Sequence, residues 1–131
     1  MDAAMSRSGH VIRLHFLVAA LVIVQNAATV RADEVSDGQS AFAACSACHS
    51  IDGNEGLGPH LNGVIGRKAA SVAGFNFSPA MKRANIVWDA QALDKFLADP
   101  QQGVPGNRMP FSGLSDATKR ADIAAYLGTL K

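Results

Sequence analysis

Cys45 and Cys48 are the only two cysteines of this 131-residue chain, they stand three apart, and His49 follows the second directly. In a helical turn that spacing puts both sulfurs on one face, about one turn apart. A disulfide between them would close a two-residue loop and so remove little chain entropy. A structural zinc site needs four ligands and usually a second Cys or His pair, which the sequence does not offer. A redox C-x-x-C of the thioredoxin type belongs in a βαβ setting, and no such alternation is visible. What fits is C-x-x-C-H, the attachment pattern of a c-type haem. The sulfurs of Cys45 and Cys48 then reach the two vinyl groups on one edge of a porphyrin, and His49 turns its imidazole to the iron.

The rest of the chain has little with which to build a core by itself. From Gly53 to Phe77 it carries six glycines, one proline and only short apolar groups, and it reads as one long loop. A loop of that length inside a compact domain needs something to wrap around. Helical patches flank it. Asp33 to Ala47 is expected to form the first, capped by Ser36 or Asp37, with Phe42 and Cys45 on one face. Ser78 caps a short helix that has Pro79 at its first position. Asp89 caps another, whose Ala90, Leu93, Phe96 and Leu97 share a face until Pro100 ends it. Asp99 to Gly113 reads as irregular. Ser115 caps the last helix, where Ile123, Leu127 and Leu130 recur at intervals of four and three beside Ala117, Ala121 and Ala124. This helix is expected to cross the first, with Gly38 allowing close approach and Tyr126 covering the contact. The fold class is all-α: one small domain of three or four short helices and long loops around a covalently bound haem that completes the core.

Residues 1–32 stand apart from this domain. They open with Arg7, His10 and Arg13, continue through an apolar run from Phe16 to Val24, and close on Val30-Arg31-Ala32. That is the organisation of a cleaved export signal. Small residues place the cut after Ala32, with the neighbourhood of Ala27 and Ala28 as a second candidate. The apolar run is short for a membrane span, which takes roughly 20 residues; an uncleaved leader acting as a membrane anchor is the alternative. A domain of residues 33–131 then carries nine basic and ten acidic side chains. Near-neutrality of this kind excludes a polycationic nucleic-acid binder.

An iron held by His49 needs a second axial ligand or an open position. Soft candidates in the domain are Met81 and Met109, with His60 as a nitrogen alternative. Met109 is favoured, because Pro105, Gly106 and Pro110 keep its segment out of a helix and stiffen the loop that presents it. Met81 falls on an expected helix, where methionine is usually core, and His60 lies next to Pro59 on the His49 side.

With these residues in view, the stretch from Gly38 to the end resembles the mitochondrial cytochrome c and bacterial cytochrome c2 family, the class I c-type cytochromes. The landmarks are Cys45 to His49, Gly58-Pro59, Gly66-Arg67-Lys68, Gly74-Phe75, Trp88, Pro105-Gly106, Met109, Phe111 and Ala125-Tyr126-Leu127. The resemblance implies one haem c, His49 and Met109 as the metal ligands, and a Pro59 carbonyl that accepts from the other nitrogen of His49. It further implies Arg67 and Trp88 beside a propionate and Phe111 in the cofactor pocket. A carbonyl acceptor would orient the ligating histidine and raise its basicity, and a buried indole N–H must find a partner.

The chain departs from that family where Phe75, Phe77 and Phe96 stand at positions that typically carry hydroxyl groups, and where Met81 replaces a usual asparagine. The pocket is expected to be drier. The lysine ring used for docking shrinks to Lys68, Lys82, Arg83 and Arg108, which lowers the expected salt dependence of docking. The function implied is one-electron transport in the periplasm by a monomer, without catalysis. Its partners would be redox proteins: a bc1-type complex, an oxidase, a photosynthetic reaction centre or a dehydrogenase. Two alternatives follow from the same residues, a haem-based sensor or peroxidase-like protein with a displaceable Met109, and a dedicated cytochrome subunit of one dehydrogenase.

Overall fold

The structure, a computed structural model, describes residues 32–131, of which Glu34–Lys131 form one compact unit. The leader and its cleavage site lie outside the described residues. Helix α1 runs over 32–41 and tightens into a 3-10 turn at Phe42–Ala44. It therefore stops short of the cysteines, which sit on the turns that follow, where the His49 N–H still reaches back to the Cys45 carbonyl at 3.0 Å. Neither Ser36 nor Asp37 caps α1. Both lie inside it, and the Ser36 carbonyl accepts from the Ser40 hydroxyl.

After the long loop come α2 (Pro79–Arg83), α3 (Ala90–Ala98), α4 (Pro100–Gly103) and α5 (Ala117–Thr129). Ser78 and Asp89 cap α2 and α3 as the sequence predicts, accepting from Met81 N at 3.1 Å and Ala92 N at 2.7 Å. On α3, Leu93, Phe96 and Leu97 are buried while Ala90 is exposed. The stretch read as irregular contains α4. Asp99 ends α3 and at once caps α4, its Oδ1 accepting from Gln101 N and Gln102 N, while Pro100 takes the first helical position, where an N–H is not needed. The last cap is Asp116, one residue beyond the expected Ser115, and its carboxylate accepts from Lys119 N at 3.1 Å.

The core is apolar and built between α1, α3 and α5, with Phe42, Trp88, Leu93, Leu97, Ile123 and Leu127 among its buried members. Gly38 is where α1 meets α5. A Cβ added there would overlap the Asp122 carbonyl oxygen and stand 2.8 Å from the Tyr126 Cβ, so only glycine fits. Phe42 and Tyr126 close the crossing with ring centroids 5.6 Å apart.

Among the described residues extended pairing is limited to one bridge, between Lys68 and Val87. Its neighbours extend it into a short clamp: Gly66 N donates to Trp88 O at 2.7 Å, Trp88 N to Arg67 O at 2.9 Å and Ala69 N to Ile86 O at 2.8 Å. The clamp ties the far end of the long loop to the segment ahead of α3. It places Arg67 and Trp88 side by side.

Candidate functional site

The turns after α1 leave both thiols free and half-buried. Burial pushes the Cys45 thiol above its ordinary value, and a nearby Cys48 adds to the effect. A thioether bears no charge, so the same burial does not oppose a linked sulfur. Beside Cys45 opens a cleft of about 640 Å³ lined by apolar residues, Leu97, Phe111, Leu114 and Ile123 among them, and by polar ones that include Asp37, Lys119 and the buried Asp122. Its size falls within the range of small-molecule and cofactor sites, roughly 300–1,000 Å³. The free Cys45 sulfur at the edge of this cleft, with Cys48 three residues on, fits a covalently attached macrocycle.

His49 is held from the loop side. Its Nδ1 lies 2.7 Å from the Pro59 carbonyl oxygen. A carbonyl only accepts, so Nδ1 carries the proton and Nε2 keeps the lone pair that a metal ligand needs. Gly58 makes this possible: a Cβ there would come within 2.6 Å of His49 Nδ1, so any other residue would push the ring from its acceptor. The turn is pinned by Gly58 N on Cys48 O and Leu61 N on Ser50 O, both at 2.9 Å.

Arg67 spends two of its donors on the same loop, Nη2 on His60 O at 2.6 Å and Nη1 on Asn62 O at 3.2 Å. Burial lowers its pKa while Glu55 opposes the shift, and a guanidinium stays charged through such a change. Trp88 is buried and packs edge-on against Phe96 with centroids 5.1 Å apart. His60 Nδ1 is paired with Glu55 Oε1 at 2.6 Å, in the same loop as Pro59, the acceptor of His49.

Met109 is half-buried and packs, with Phe111, against the central core cluster; Met81 does the same from α2. Of the residues singled out in the sequence, Cys45 and Phe111 line the cleft itself, His49 and Pro59 form a hydrogen-bonded pair, and Arg67 and Trp88 adjoin through the clamp. Met109 and Cys48 stand outside the lining of that cleft. Phe75 and Phe77, half-buried, stack edge-on at 4.7 Å, and Phe96 is buried. Sequence reasoning missed Asn107, which is buried and bonded to the Met109 backbone. A signal was available: an asparagine after Pro-Gly, two residues before a candidate ligand, is a residue type that bonds nearby backbone groups.

Comparison with known proteins agrees with this geometry. The cytochrome c family profile matches residues 35–131. Cytochrome c2 iso-2 of Magnetospirillum fulvum is 46% identical over 96 residues, covering 72% of this chain and 100% of that protein. The cytochrome c-type cyt cy of Rhodobacter capsulatus is 47% identical over 103 residues, 79% of this chain, so that the chain spans about half (52%) of that longer relative. The solved structure of cytochrome cH from Methylobacterium extorquens superposes with a TM-score of 0.70 at 46% identity, covering 72% of this chain and 97% of that one. With two free thiols spaced for thioether links and a histidine whose second nitrogen is already engaged, the chain belongs to the cytochrome c family and holds one covalent haem c through Cys45 and Cys48.

Proposed function

We propose that the protein is a soluble periplasmic one-electron carrier whose haem iron is ligated by His49 and Met109. The observation that carries this reading is the 2.7 Å contact between His49 Nδ1 and the Pro59 carbonyl, which leaves Nε2 as the ligating atom. When bound, the haem supplies the one-electron chemistry; the chain supplies attachment, axial ligands and surroundings. His49 binds from the loop side with its ring orientation fixed. Met109 would supply the second metal ligand from a loop stiffened by Pro105 and Pro110. With His49 and Met109 both holding the metal, no site would be left for a substrate, which suits a carrier and not a catalyst. Arg67 and Trp88 would sit by a propionate, where a cationic group and an N–H donor stabilise negative charge. Phe75, Phe77, Phe96 and Met81, in place of polar groups, would make the surroundings of the cofactor drier.

Residues 1–32 direct export, and among the described residues no helix is long and apolar enough to cross a membrane. The mature product then begins at Asp33, which its intact mass reads directly. Partners are other redox proteins, of which a bc1-type complex and an oxidase, reaction centre or dehydrogenase are the expected classes.

Redox titration of two variants tests the ligand assignment. A thioether favours ferrous iron relative to a second nitrogen ligand, and axial-ligand identity spans about 0.8 V across haem proteins. Met109→His is expected to lower the potential by roughly a few tenths of a volt on that scale. Met81→Leu, a volume-preserving change in packed surroundings, is expected to leave it nearly unchanged. If Met81→Leu abolishes the thioether-to-iron charge-transfer band and Met109→His retains it, the assignment is reversed.

A further inference from the structure

Asn107 is one of three polar or charged residues buried in the described chain, 7% exposed, and its side chain has no solvent role to play. All of its hydrogen-bonding groups point at backbone. Nδ2 donates to Pro100 O at 2.7 Å and to Val104 O at 3.0 Å, and Oδ1 accepts from Met109 N at 2.9 Å. Two carbonyls on one side and an N–H on the other define which end of the amide is which. The backbone of the same residue is held as well, with Asn107 N on Val104 O at 3.0 Å and Asn107 O accepting from Gln101 Nε2 at 3.2 Å. Gln101 closes the ring of bonds by accepting from Gly106 N at 3.3 Å.

These bonds connect the segment carrying Met109 to α4, whose start is itself fixed by the Asp99 cap. Pro105 and Pro110 narrow the conformations of that segment but bring no donors, and Gly106 turns it through φ +85°. Without the amide of Asn107, the Met109 N–H would lose its acceptor, while the Pro100 and Val104 carbonyls would each keep only their backbone donor, Val104 N and Asn107 N. We propose that Asn107, seconded by Gln101, is the positioning residue that pre-sets the Met109 loop for axial ligation and so governs how readily an outside ligand displaces Met109. The inference rests on Met109 being the sixth ligand.

The test uses the ferric holoprotein with imidazole as competitor, following the thioether-to-iron charge-transfer band. Asn107→Ala is expected to weaken the band and raise apparent imidazole affinity by roughly tenfold, the equivalent of one or two hydrogen bonds. Helix content and haem attachment are measured alongside. Imidazole affinity and band intensity equal to those of the unmodified protein, in a folded variant, would overturn the proposal even if the variant unfolds more easily, because that is what a purely structural role produces. Should Asn107→Ala give no folded holoprotein, Gln101→Ala serves instead: Gln101 is exposed, its loss removes two of the loop's bonds, and an unchanged imidazole affinity counts equally against the proposal. Failure of the ligand reading looks different. In that case the band is absent from the unmodified protein, or it survives Met109→Ala.

Discussion

Two glycine-to-alanine substitutions in helices are expected to move stability in opposite directions, and the difference isolates the α1–α5 crossing. Helix propensity alone favours alanine over glycine by about 0.8–1.0 kcal/mol at an interior position. At Gly128, exposed in the last turn of α5, an added Cβ meets nothing closer than Ile65 Cγ1 at 4.0 Å, so a part of that gain is realised. At Gly38 the added Cβ would sit 2.5 Å from the Asp122 carbonyl carbon and closer still to its oxygen. These are backbone atoms of a helix, which cannot rotate aside as a side chain can, so the helices must move apart. Overpacking costs about 1–3 kcal/mol and sometimes more, and this contact belongs at the upper end. Subtracting the propensity gain leaves Gly38→Ala destabilised by about 2 kcal/mol, against a gain of less than about 1 kcal/mol for Gly128→Ala. For a domain of about 100 residues that corresponds to melting shifts of roughly 8–16 °C downward and a few degrees upward. Denaturant unfolding of the ferric holoproteins measures both, with the slopes compared to check that the unfolded states match. If Gly38→Ala is neutral or stabilising, the close approach of α1 and α5 is not what holds glycine there.

Two further outcomes are expected. Cys45→Ser and Cys48→Ser each leave at most one thioether, so matured holoprotein falls sharply, and acid–acetone extraction, which should remove no haem from the unmodified protein, tests the covalent links. Asp52, an exposed carboxylate, is held below its ordinary pKa chiefly by hydrogen bonds from the backbone and side chain of Asn54 and from Ser50. A depressed carboxylate contributes stability that is fully present above its unfolded value of about 3.9 and is lost as pH falls through the folded value. Asp52→Asn is therefore expected to lower stability slightly at neutral pH and to flatten the acid side of the profile, the variant and the unmodified protein converging as pH falls, as read from denaturant midpoints between about pH 3 and 7.

What was legible in the sequence is what rests on local chemistry. Ser78 before Pro79 and Asp89 before an apolar face name their own helices, because a capping oxygen and a first-turn proline act within three residues. The same locality explains the shifted boundaries. Ser115 and Asp116 are both good caps, and the choice between them depends on Arg120, whose Nη1 donates to the carbonyls of Leu114 at 2.7 Å and Ser115 at 2.9 Å and whose Nε pairs with Asp94 of α3. Those partners lie across the fold and leave no periodic trace. Likewise α4 escaped notice because four residues carry no periodicity, and its existence depends on Asp99 serving two helices at once.

The site divides along the same line. Cys45, Cys48 and His49 are legible because attachment chemistry fixes their spacing, whereas the Pro59 acceptor is implied by the family resemblance and makes physical sense because such a partner orients a histidine ring. Asn107 is not legible in that way, since nothing in Pro-Gly-Asn-Arg-Met states that the amide turns inward to α4 instead of toward a cofactor or solvent. Its orientation is decided by two carbonyls, Pro100 and Val104, that only the fold brings within reach. The half of the site on the His49 side is thus written in the order of the residues, while the Met109 half depends on a loop whose shape is set by a helix the sequence barely marks. On the proposed ligation, a sulfur presented by such a loop would keep its place only as firmly as the loop keeps its hydrogen bonds, and its resistance to displacement would then depend on Asn107 and Gln101 as well as on the sulfur itself.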